Sequence, residues 1–201
     1  MDRREALKFL GTALSLPVLA NLSGEEIFSF GREMHARLPE VGEGLYVFKT
    51  LNPHQNQSVT VITDLILPAT DTPGAVAARV NEFIDLMLTE WFKAEERDSF
   101  QQGLAELDRQ SRSSYGKHFI NCSHDQQVEL LKSQEEEAIA TAKAKEGEQE
   151  MSWGRVSPPR EHFFHAIKWL TLLGYYTSEI GMLEELGWEM IPGSYSGCSH
   201  T

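Results

Sequence analysis

Residues 163–181 read FFHAIKWLTLLGYYTSEIG, and this run decides the fold. Phe163, Ile167, Leu170 and Gly174 recur at spacings of four, three and four, which places them on one face of an α-helix. A β-strand would need alternation with a period of two, and neither this run nor any other stretch of the chain alternates in that way. The run ends in a glycine and two tyrosines and then restarts at Ser178 as a short further helix reaching about Leu186.

Four more helices are predicted upstream by the same criterion. Val80, Phe83, Ile84, Met87 and Trp91 follow spacings of three and four. Phe100, Leu104 and Leu107 do the same. Pro53 behind Asn52 is a helix start, because proline's missing N–H costs nothing in the first turn. Val59, Ile62 and Ile66 form that helix's apolar stripe, and Pro68 stops it. SHDQ at 123–126 has the spacing of a capping box, ahead of a helix with Val128, Leu131, Ala138 and Ala142 facing inward. ATDTPGA at 69–75 is a loop, and the charged stretch 143–161, broken by Gly147, Gly154 and two prolines, is a long connection. The class is therefore all-α, an irregular bundle of about five to six helices.

The N-terminus reads as a separate unit. Residues 1–20 pair Arg3 and Arg4 with Leu7 and Lys8, continue into an apolar stretch from Phe9, and end in Val18-Leu19-Ala20. The apolar part is too short to span a bilayer, and small residues precede the break, as a signal peptidase requires. The segment resembles a twin-arginine signal, with Ala6 where the usual phenylalanine stands. Cleavage after Ala20 would start the mature chain at Asn21. Residues 21–50 are read as an extended lead-in anchored by Phe28, Phe30, Tyr46 and Phe48, and 51–201 as the helical domain. Export implies a periplasmic location and an oxidising medium. There Cys122 and Cys198 can pair with each other, pair with a partner, or remain thiols.

The composition bounds the function. A chain of 201 residues with 41% hydrophobic residues can build a substantial core. A net charge of −12 without clustered Lys and Arg argues against nucleic acid. Chemistry is hard to find. His162 and His165 share roughly one face beside Glu161, yet no Glu-x-x-His unit of the di-metal bundles stands there, and Phe163 and Phe164 around them read as core. The run Glu135-Glu136-Glu137 reads as a solvated face. Cys122 lies near His118 and His124 without the local signature of a thiol enzyme. The chain contains no CxxC, CxxCH, GxGxxG or GxxxxGK[ST] sequence. These readings predict no catalytic residue, no metal and no cofactor in this chain.

Several separated blocks, in order, carry a resemblance. The twin-arginine-like leader is followed by ILPATDTPGA at 66–75, VNEFIDLML at 80–88, FFHAIKWLTLLGYYTSEIG at 163–181 and IPGSYSGC at 191–198. Together they resemble subunit 3, the small subunit, of the gluconate 2-dehydrogenase family. The resemblance covers about 51–198 and is weaker between 95 and 159. It implies a non-catalytic companion of a large FAD-containing dehydrogenase of the glucose–methanol–choline type. That flavoprotein oxidises a sugar, sugar acid or polyol, and a multihaem cytochrome c often takes its electrons. It also implies that the small subunit carries the flavoprotein through the twin-arginine translocase, so the complex sits at the periplasmic face of the inner membrane. Gly174, Tyr175, Tyr176 and Glu179 are then partner contacts, with the alternative that the tyrosines cap the protein's own core. Cys198, on a glycine-flanked tail, would clasp the flavoprotein or bond Cys122. Trp91, Trp153, Trp169 and Trp188 stay divided between core and interface. The rival readings are a stand-alone periplasmic helical ligand-binding protein and a metal- or thiol-dependent oxidoreductase acting alone.

Overall fold

A computed structural model describes residues 24–39, 45–146 and 162–187 of the chain. Among them are six α-helices and no strand: α1 (Gly24–His35), α2 (Pro53–Ile66), α3 (Val80–Glu90), α4 (Ala94–Tyr115), α5 (His124–Glu146) and α6 (Phe163–Tyr176). A 3-10 turn, Phe119–Asn121, precedes α5, and a π-helical turn, Gly181–Glu185, follows α6. The all-α reading of the sequence holds. No described helix is long and apolar enough to cross a membrane.

α6 is the hub. It packs against α1, α2, α3, α4 and α5, so it has no solvent side. Phe163, Phe164 and every residue from Ile167 to Tyr176 are buried. The sequence shows one apolar face; the structure buries the whole circumference, as a helix with apolar residues all round requires. Two polar residues on it are satisfied internally. Thr171 Oγ1 donates to Ile167 O at 2.7 Å, and Lys168 Nζ reaches Glu135 Oε1 of α5 at 2.5 Å. One member of the glutamate run is thus paired with a buried cation.

The starts of α2 and α5 form as their cap sequences dictate. Asn52 Oδ1 accepts from the Gln55 amide at 2.9 Å while Gln55 Oε1 accepts from the Asn52 amide at 3.0 Å. Ser123 and Gln126 make the same reciprocal pair, at 3.0 and 3.4 Å. The inward stripe of α5 is Gln127, Leu130, Leu131, Gln134 and Ala138, with Val128 half-buried and the side chain of Ala142 outside the described residues. Its glutamines are core residues with partners: Gln127 donates to Phe119 O and Gln134 to Gln110 Oε1, each at 3.0 Å.

Two expectations change. The lead-in is not extended throughout, because residues 24–35 form α1. Ile27, Gly31 and Met34, spaced four and three apart, lie on the buried side of α1, which packs against α3 and α6; Met34 is fully buried, and a Cβ on Gly31 would stand 2.4 Å from Thr177 Oγ1. Two glycines in twelve residues weaken the local helical preference, and tertiary packing overrides it. Among the described lead-in residues, 45–48 form no helix, with Tyr46 and Phe48 half-buried as anchors and Leu45 and Val47 exposed. The second correction concerns Trp91. α3 stops at Glu90, and the Trp91 ring lies 45% exposed across α1, edge-on to Phe30 at 4.4 Å. Its Nε1 donates to Met34 Sδ at 3.0 Å.

Asp85 ties the lead-in down. Its carboxylate is fully buried and accepts four hydrogen bonds, from Tyr46 Oη and the amides of Lys49, Thr50 and Leu51. Burial and the facing carboxylate push the Tyr46 phenol well above its ordinary value.

Candidate functional site

The two blocks 66–75 and 174–181 lie about a hundred residues apart in sequence, and the fold brings them together. The loop after α2 closes on itself, with the Ala75 amide donating to Leu67 O at 2.9 Å. Gly74 is required there, since a Cβ would meet Ala69 N at 2.5 Å and Leu67 O at 2.7 Å. Tyr175 Oη donates to Pro73 O at 2.7 Å, and Thr72 Oγ1 donates to Glu185 Oε2 at 2.6 Å. The junction therefore joins the α2–α3 loop, the end of α6 and the π turn.

Gly174 is buried where α6 crosses α3. A Cβ there would stand 2.7 Å from Phe83 Cδ1, so the glycine lets two helices of this chain approach. Its carbonyl accepts from His35 Nε2 at 2.7 Å, and the His35 ring stacks on Phe83 at 4.6 Å. Burial holds His35 below its ordinary value of 6.5, an environment that favours the neutral ring. Tyr175 is 0% and Tyr176 1% exposed, and both rings lie in the core. The alternative left open by the sequence describes these side chains: they cap the protein's own core, and they present no surface in this conformation. Glu179 alone of the four positions is exposed. Trp169 likewise belongs to the core.

Beside the junction lies an open cleft of about 620 Å³, with His35, Leu38, Ala78, Arg79, Ser178 and Glu179 among its walls. Arg79 adopts a left-handed backbone, φ 54°, at the start of α3. Its guanidinium donates to Pro39 O at 2.7 Å and to Glu82, which fixes the wall to the segment after α1. Val76, Leu183 and Leu186 of the loop and the π turn are 47%, 50% and 40% exposed, unlike the buried tyrosines. Sequence reasoning passed over these three because each falls outside the strongest periodic runs.

A second constellation stands elsewhere. Asp108 on α4 is buried, and its Oδ2 meets His54 Nε2 at 2.9 Å and His118 Nδ1 at 2.6 Å. Its Oδ1 accepts from the Phe119 amide at 2.9 Å. Burial raises the Asp108 pKa, but the bonds from His118, the Phe119 amide and His54 outweigh it, and the carboxyl lies below its ordinary value. Residues 54, 108 and 118 have no short-range spacing to betray them; only the packing of α2 on α4 brings them together. His162 and His165, weighed from the sequence as ligands, stand at the start of α6, His162 as its N-cap and His165 in its first turn. His162 Nδ1 accepts from the Phe164 amide at 3.3 Å, and burial lowers both rings below their ordinary value.

Cys122 is buried with its Sγ 3.0 Å from Ser111 Oγ. Arg3, Arg4, Leu7, Lys8, Trp153, Trp188 and Cys198 lie outside the described residues. A family model described as gluconate 2-dehydrogenase subunit 3 matches residues 53–193, which includes α2 through the π turn. No curated protein and no solved structure gives a significant match.

Proposed function

The chain belongs to the gluconate 2-dehydrogenase subunit 3 family, and from that membership we propose that it is the non-catalytic small subunit of an FAD-dependent sugar, sugar-acid or polyol dehydrogenase. The family implies a subunit of a dehydrogenase complex. In the proposal the partner is a large flavoprotein of the glucose–methanol–choline type, FAD is bound by that partner, and a multihaem cytochrome c receives the electrons. This chain supplies the twin-arginine signal through Arg3 and Arg4, escorts the folded flavoprotein through the translocase and holds it in the periplasm.

The family match carries the proposal. The junction supports it by offering a place for the contact. Val76, Leu183 and Leu186 add exposed apolar area on the loop and the π turn, and Glu179 adds a charge at the rim. A stable complex needs more than about 1,000 Å² of buried surface, so this patch would be one part of a larger interface. In the proposal Cys198 clasps the partner rather than Cys122, because Cys122 lies in the stretch 95–159 where the family resemblance is weakest.

The test is a pull-down of the tagged full-length chain from its own cells, resolved on reducing and non-reducing gels. A larger, flavin-bearing protein should come down with it, and a Cys198→Ser variant should abolish any band that separates only on reduction. Recovery of the chain alone would sink the proposal. It would favour a stand-alone periplasmic ligand-binding protein, a reading supported by the cleft of about 620 Å³, a size that suits a small molecule.

A further inference from the structure

We propose that His54, Asp108 and His118 form a binding site for one divalent transition-metal ion of the zinc class. Their ligand atoms, one from each residue, all lie within 4.8 Å of one another. Two imidazole nitrogens and one carboxylate oxygen are the donor set of zinc sites that complete their coordination with water. Softer ions would call for thiolates and harder ones for an all-oxygen shell, so the set suits borderline divalent ions such as Zn²⁺, Co²⁺, Ni²⁺, Cu²⁺ and Fe²⁺, and Zn²⁺ stands for the class in the test.

Three features suit the cluster to a metal. Both rings converge on the same oxygen, Asp108 Oδ2, and cross nearly at right angles, 76° with centroids 5.2 Å apart. The other carboxylate oxygen is engaged by the Phe119 amide, so the carboxylate is oriented before any ion arrives. The side chains of His54 and His118 are 42% and 47% exposed, which leaves a route for the ion and room for water as further ligands. In the present arrangement ring protons bridge to the carboxylate. An ion would replace them, each ring moving its proton to its other nitrogen. Tetrahedral bonds of about 2.0–2.1 Å set neighbouring ligand atoms about 3.3 Å apart. The observed 2.9 and 2.6 Å need to open and the two ring nitrogens, within 4.8 Å of each other, need to settle to the same spacing, movements that half-exposed side chains can make. The bound ion would cross-link the first turn of α2, the middle of α4 and the loop before the 3-10 turn.

The experiment uses the full-length chain, carrying no polyhistidine tag and freed of metal with a chelator. Zn²⁺ is titrated by calorimetry, Co²⁺ by its visible absorption, and thermal unfolding is followed with and without Zn²⁺. One ion per chain is expected, with Zn²⁺ raising the midpoint. His54→Gln and His118→Gln should each weaken binding by about tenfold or more and remove the Co²⁺ bands. These two positions are chosen because Asp108 also holds the Phe119 amide, and its replacement risks the fold itself. Absence of saturable uptake overturns the proposal and leaves a proton-bridged cluster. Uptake that survives both variants but is lost in His162→Gln or His165→Gln overturns it as well, and moves the ion to the pair at the start of α6.

Discussion

Replacing Asp85 by asparagine tests whether one buried carboxylate holds the lead-in onto the bundle. Asp85 Oδ1 accepts from the Thr50 and Leu51 amides at 3.0 and 2.7 Å, and Oδ2 accepts from Tyr46 Oη and the Lys49 amide at 2.8 and 2.9 Å. Asparagine keeps one oxygen. Its best arrangement leaves that oxygen on Thr50 and Leu51 and turns its NH₂ toward the other side. The Tyr46 hydroxyl can rotate to accept from it, but the Lys49 amide then faces a donor. Losing that charge-assisted bond costs about 1.5–3 kcal/mol. Weakening of the three remaining bonds adds about 1–2 kcal/mol, and the easier burial of a neutral amide returns about 1 kcal/mol. The net loss is about 1.5–4 kcal/mol, which for a chain of this size lowers the thermal midpoint by about 3–16 °C. Urea unfolding followed by circular dichroism measures it. Tyr46→Phe should cost less, and in the double variant the two effects should not add, because both residues share one oxygen. An Asp85→Asn protein within about 0.5 kcal/mol of the wild type would refute the reasoning.

Gly103 sits where α4 crosses the first turn of α6, and a Cβ there would stand 2.2 Å from Phe163 Cβ, an atom close to the backbone that cannot swing aside. Gly103→Ala is expected to lose about 1–3 kcal/mol through overpacking, despite alanine's better helical preference; a gain in denaturant midpoint would contradict the close crossing. Burial holds His35, His162 and His165 below 6.5 in the folded state, so each binds protons more readily when unfolded. Stability should therefore be full above about pH 6.5 and decline as the pH falls from there toward about 5, before the carboxylates titrate. Unfolding midpoints taken across that range should show the slope, and His35→Gln should flatten part of it; a flat profile would mean that the rings stay solvated.

Much of this protein is settled by local chemistry. Asn52 with Gln55, and Ser123 with Gln126, are complete caps in themselves, and the helices begin where those residues stand. The periodic apolar residues of α3, α4 and α6 announce helices because helical neighbours lie three and four apart whatever surrounds them. Family membership was legible for a related reason, since its blocks 66–75 and 163–181 are contiguous in the chain. What the sequence could not reveal is partnership between distant segments. The apolar face of α6 is visible in the sequence, but its complete burial depends on five other helices closing round it. α1 is weak in local preference and becomes a helix against Thr177 and the core. Tyr175 and Tyr176 have the character of interface anchors; only the Pro73 carbonyl and the surrounding core turn them inward. His54, Asp108 and His118 become one cluster solely through the packing of α2 on α4. Hydrogen bonding and ligation act over about 3 Å, and separations of that kind between remote residues exist only once the chain has folded.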